Sequence, residues 1–187
     1  MSVVAYSRAV STMHWLSAPA MIGCIGTVLK AQSLPKGDKG KGVWMHRHKS
    51  LGLLAGILFG PRFAARLMSK APAAVEGSAI EQLAARASHT LLYGFLAIMP
   101  ASGIAMGYFG GKGLPFFGTH IPGADKPNGG IAKNAFWVHK NTGYYGKFLV
   151  PVHIGAAGFH VAKGQNIFRR INPFGKGPAA KGPAAPK

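Results

Sequence analysis

Four apolar stretches, separated by connections rich in glycine, lysine and proline, organise the chain. The first runs from about His14 to Leu29 and stops at Lys30. It is short, near the low limit of ~17 residues for a helix that crosses a bilayer. Only Arg8 precedes it as a positive flank and His14-Trp15 opens it, which argues against a cleaved secretory leader. The linker Gln32 to Gly42 holds five glycine, proline or serine residues and is expected to break any helix. The second stretch begins near His48, runs through Leu51 to Phe59 and passes Pro61 to Arg62 and Arg66, with a kink expected at the proline. Ser69 to Arg86 reads as a polar link. The third stretch extends from Ser88 to Phe109 around Pro100, and the long connection Gly110 to Asn134 follows it. Trp137, a residue type at home at the lipid interface, introduces the fourth stretch, about His139 to Val161. The expected architecture is all-α: an integral membrane four-helix up-down bundle over residues 1–174, followed by a basic, disordered Lys/Gly/Pro/Ala tail at 175–187.

Composition fits that pattern. Hydrophobic residues make up 48% and charged residues 14%, yet mean hydropathy is only +0.17, because 27 Gly, 13 Pro and eight His dilute the apolar runs. Small residues are what closely packed membrane helices use. The formal charge is +18. With no zinc motif, basic helix or RNA-binding aromatic signature beside it, that charge points to anionic lipid or acidic partners and not to nucleic acid. Lys and Arg divide eleven to ten between the two sides of the expected bundle, with Lys147 left over, so charge does not orient it. The single cysteine, Cys24, lies in an apolar run and reads as a packed thiol.

The histidines carry the chemistry. His139 and His153 lie fourteen residues apart in the fourth stretch. On a helix that spacing is roughly 21 Å and within about 40° of whole turns, so one face presents imidazole at two depths. In an up-down bundle His14 shares the level of His153, and His48 the level of His139. Each pair can supply both axial ligands of one haem through neutral imidazole nitrogens, giving two haems stacked across the membrane. Arg62 follows His48 by fourteen residues and stands at the other level. With Arg8 and Arg66 it is a candidate partner for the propionates of the haem on the N-terminal side; snorkelling to lipid phosphate is the plain alternative for Arg66. His89 and His160 are candidates for a ligand in place of one of these four, for a hydrogen bond to a quinone head group or haem propionate, or for a position behind the ligands. His46 and His120 are expected to be solvated in loops without a partner.

Taken in order, Tyr6-Ser-Arg8 to His14-Trp15-Leu16, His48 to Gly52 with Arg62 and Arg66, Ser88-His89 to Tyr93, Pro100 to Gly103, and His139, His153 and His160 resemble the prokaryotic-type cytochrome b561 family. The similarity covers nearly all of Tyr6 to Pro173. Its best-studied member is a superoxide oxidase, and the wider group includes the cytochrome b subunits of nickel hydrogenases and formate dehydrogenases. The resemblance implies a four-helix bundle with two b-type haems and ligands at His14, His48, His139 and His153. Three functions are expected from it and from the residues: a superoxide:quinone oxidoreductase, a haem-bearing electron-transfer subunit of a larger respiratory-type membrane complex, or a structural subunit with a degenerate redox role. The membrane is expected to be a bacterial inner membrane or an organellar (mitochondrial) inner membrane.

Overall fold

A computed structural model describes residues 5–175. The tail expected to be disordered therefore lies outside the described residues, apart from Gly175. Helix α1 spans Arg8–Ser33, with the Ser7 hydroxyl accepting the Val10 N–H at 3.3 Å. Helix α2 spans Lys39–Met68, and α3 spans Ala79–Phe109. All three are long and apolar enough to cross a membrane.

Two connections are shorter than the sequence pattern suggested. The Gly/Lys-rich linker is helical except at 34–38, because Asp38 caps α2 by accepting the Gly40 N–H at 2.7 Å, and Gly40 and Gly42 are carried inside the helix. The polar link is helical from Ala79, where Ser78 and Glu81 form a reciprocal capping box.

The third connection is not irregular throughout. Leu114–Phe116 and Thr119–Ile121 pair as an antiparallel hairpin, so the all-α expectation misses one small β element. The chain enters it through Gly113 at φ +65°, where a side chain would run into the Ile121 carbonyl. Phe117, at φ 50°, makes the turn; its N–H donates to Ser50 on α2 at 2.9 Å. His46 Nε2–H donates to the Phe117 carbonyl at 2.9 Å, and His120 Nε2–H to the Lys112 carbonyl at 3.1 Å. Both histidines expected to be solvated thus have partners that fix the hairpin.

The fourth stretch is two helices, α4 (Gly129–Gly146) and α5 (Leu149–Ala162). Pro151 stands just past the break and has no N–H to offer the Lys147 carbonyl four residues earlier, although Pro19, Pro61 and Pro100 are carried inside unbroken helices. A 3₁₀ turn, Ile167–Ile171, then folds back on α1. Trp15 Nε1–H donates to the Ile171 carbonyl at 2.8 Å, and the Trp15 ring stacks on Phe168.

α1 packs along α2, α3 along α4, and α2 against α3, whereas α1 has no close packing against α4 or α5 among the described residues. The α1–α2 seam is made of small side chains: Ser17, Ala20, Thr27 and Ala31 are buried, and Gly23 and Gly52 admit Leu51 and Cys24. Among the described residues the largest fully buried side chains are serines, while Leu16, Ile22, Ile57, Leu91, Phe136 and Phe159 are exposed. That inversion is expected of a chain whose outer surface meets hydrocarbon and whose helices meet through small residues.

Candidate functional site

His14 on α1 and His153 on α5 bring their ring centres to 6.3 Å, and His48 on α2 and His139 on α4 to 6.1 Å. Neither α1 with α5 nor α2 with α4 is a closely packed pair among the described residues, so each histidine couple faces across a gap between helices. Two imidazoles bound on opposite sides of one metal ion, each nitrogen ~2 Å from it, hold their ring centres roughly 6 Å apart. Both separations fit that arrangement. Among the described residues no three His, Cys, Asp or Glu side chains cluster into a metal site. Paired histidines with nothing further suit a metal that brings its own equatorial ligands, as haem iron does.

The His48–His139 pair is oriented from behind. His48 Nδ1–H donates to the Cys24 carbonyl at 3.0 Å, with Cys24 Sγ also 3.3 Å away. His139 Nδ1–H donates to the Met99 carbonyl at 3.0 Å and to Ser102 Oγ at 3.1 Å. Ser102 in turn donates to the Ile98 carbonyl at 2.6 Å. With both Nδ1 positions occupied, the tautomer is set and Nε2 is the nitrogen left for a metal. Gly103 makes room for this: a Cβ there would stand 3.3 Å from His139 Cε1.

The other pair has different company. Arg62 donates to His14 Nδ1 at 3.2 Å and to Ser17 Oγ, and stands 5.9 Å from the Tyr93 ring. The salt bridge found among the described residues joins Lys163 to Glu81, so Arg62 has no carboxylate beside it. His89 lies 5.4 Å from His153, making a third imidazole at this level. His160 is tied elsewhere, its Nδ1–H donating to Gln165 Oε1 at 2.6 Å. Arg66 donates to the Ser69 carbonyl at 3.4 Å, and Arg8 is exposed in the first turn of α1.

Several of these groups carry no sequence signal. The Met99 and Cys24 carbonyls are backbone, and Ser17 and Ser102 look like ordinary small residues of membrane helices. Cys24 is packed as expected, and its neighbour is a candidate ligand. Gly103 was legible only as the end of the Pro100 to Gly103 segment of the family resemblance, with no sign that it makes room for His139.

The sequence profile of the prokaryotic cytochrome b561 family matches residues 5–173. A curated Escherichia coli (strain K12) protein, cytochrome b561 homolog 1, is 25% identical over 169 residues, covering 89% of this chain and 96% of that one.

Proposed function

The chain belongs to the prokaryotic cytochrome b561 family, an integral membrane family of haem b electron carriers, and on that footing we propose that it is a dihaem cytochrome that moves electrons across the bilayer from superoxide to a quinone. In this reading the chain crosses four times, up and down, with α4 and α5 together forming the last span. His48 and His139 hold one haem b, and His14 and His153 the other. When bound, each supplies a one-electron carrier whose iron cycles between ferric and ferrous states. The observation that carries the reading is the matched separation of the two couples at 6.3 and 6.1 Å, on four different helices.

The protein's own groups give the path a direction. The carbonyls of Cys24 and Met99, accepting Nδ1–H, make His48 and His139 more basic ligands, which favours the oxidised state. Arg62 puts a positive charge beside the other couple, which would offset the negative charge of a propionate there and so favour the reduced state. A propionate offers Arg62 the anion the protein lacks, and a guanidinium drawn to it frees His14 Nδ1 to carry the proton an Nε2-ligated imidazole needs. Haems held at the two levels would then differ in potential, the one at His14–His153 being the easier to reduce. His89, beside His153, is the candidate hydrogen-bond donor to a quinone head group there.

Superoxide is the favoured donor because the entry side is cationic. Lys30, Lys36, Lys39, Lys41, Lys112, Lys126 and Lys133 border it against Asp38 and Asp125. Such a field raises encounter rates with small anions by about 10 to 1,000-fold. A second reading, a carrier subunit of a larger membrane complex, is favoured by the lysine at mid-depth in the fourth span, Lys147. The test is the visible spectrum and haem-to-protein ratio of the purified protein, followed by mixing with a superoxide source in the presence of a quinone. Two b haems reduced rapidly support the enzyme. Two haems indifferent to superoxide favour the subunit, and absence of haem overturns both.

A further inference from the structure

The 3₁₀ turn does not close fully on α1. Between them lies a groove of ≈ 690 Å³, walled by Trp15, Leu16, Phe168 and Phe174 and edged by Asn166, Arg169 and Asn172. Trp15 and Leu16 stand roughly 100° and 160° around α1 from His14, so this groove opens away from the space between the histidine couples. Both lie within three turns of the start of α1 at Arg8, at the end of the span where a tryptophan ring meets the lipid interface.

The groove is apolar along its wall and cationic at its edge, and the hydrogen-bonding atoms of that edge are spent unevenly. The Asn166 side-chain oxygen accepts the Arg169 N–H at 3.2 Å and the Asn172 oxygen accepts the Phe174 N–H at 2.9 Å, which leaves each side chain its NH₂ end. Trp15 Nε1–H is already taken by the Ile171 carbonyl. Arg169 is exposed and no carboxylate lines the groove. What the edge offers a ligand is therefore two amide donors and a full positive charge. The sequence past Gly175 adds Lys176, Lys181 and Lys187 and no acidic residue. On the wall, Phe174 is 93% exposed and has its whole ring to cover.

We propose that this groove binds one anionic phospholipid, with its phosphate on Arg169 and the two asparagine amides and an acyl chain along Trp15, Leu16, Phe168 and Phe174. A guanidinium meets a phosphate through two parallel N–H bonds. The ammonium of a choline head group finds neither an acceptor nor a negative charge at the same edge. A free phosphate uses the edge alone and leaves the aromatic wall bare. The proposal stands whichever donor feeds the haems.

The test uses the full-length protein, stripped of lipid in detergent, with phosphatidylglycerol or phosphatidylcholine of equal chain length added back. Native mass spectrometry reads how many lipids stay bound and how tightly. One phosphatidylglycerol is expected to bind more tightly than phosphatidylcholine by about five-fold or more, the worth of one basic residue at an anionic head group. Arg169→Gln is expected to bring the two lipids level with the helical circular dichroism unchanged, and Arg169→Lys to keep most of the preference. Phe168→Ala, which removes wall and leaves charge, is expected to weaken both lipids by a similar factor. Lys49→Gln, at the hairpin end, is expected to leave the preference as it was. An equal loss in Lys49→Gln and Arg169→Gln overturns the proposal, because net charge and not a site would then select the lipid. Displacement by glycerol phosphate overturns it by marking a plain anion site, and displacement by a short-chain quinone by assigning the groove to a neutral amphiphile.

Discussion

His139 is held from behind by a carbonyl and a hydroxyl at 3.0 and 3.1 Å, and the two partners are not equivalent. The Met99 carbonyl cannot be removed by substitution, whereas Ser102→Ala takes away one acceptor and leaves the ring in place. That variant is expected to retain its full haem complement while raising the midpoint potential of the haem at the His48–His139 level, measured by redox titration of the visible spectrum. An unchanged potential would mean that Met99 alone sets the ligand's basicity. Arg62→Gln acts in the opposite sense, and the other haem should become harder to reduce. The proposed ligands give a coarser outcome. His139→Ala and His153→Ala should each halve the haem-to-protein ratio, and full dihaem occupancy in either variant would sink the pairing.

At the scale of elements, α2 and α3 approach closely through Gly56, where a Cβ would lie 2.9 Å from the Pro100 ring. A proline ring does not swing aside, so Gly56→Ala must push the helices apart. It is expected to cost about 1–3 kcal/mol, read as a shift in the denaturant midpoint in detergent. The break between α4 and α5 stands next to Pro151. Pro151→Ala restores an N–H able to reach the Lys147 carbonyl, and the amide at 151 is expected to become slow to exchange with deuterium. Rapid exchange at that amide would show that something other than the proline holds the bend.

For the molecule as a whole, the described surface is apolar, with Leu16, Ile57, Leu91 and Phe159 outside, while serine and alanine are prominent among the buried residues beside Phe95 and Leu96. Its two ends are closed by different devices. At the end where His48 and His139 lie, the hairpin is bonded to His46 and Ser50. At the other, the 3₁₀ turn is tied to Trp15, and Lys163 meets Glu81 at 2.8 Å. The +18 charge acts at this scale too. If the lysine-bordered end draws in superoxide, the second-order rate should fall several-fold as salt rises from ~0.01 to ~0.15 M, because the Debye length shrinks from about 30 to 8 Å. A salt-independent rate would remove the electrostatic argument for that donor.

The apolar stretches were legible in the sequence because helix periodicity is local, whereas the fourteen-residue spacing of His139 and His153 was read on one continuous helix and the chain breaks between them at 147–148, which leaves His139 on α4 and His153 on α5. The family was legible for a related reason, since its motifs are residues in order. Helix limits at Lys39 and Ala79 were harder to read. A single Asp or Ser–Glu cap outweighed a composition that looked like a linker, and the hairpin's partners, Ser50 and His46, lie some seventy residues away along the chain. What only the tertiary structure decided is which groups stand behind each histidine. Carbonyls of Cys24 and Met99 meet His48 and His139, and a guanidinium meets His14, because those contacts join helices distant in sequence. Spacing along one helix specifies depth and face. The neighbour across a gap is specified by how the helices pack.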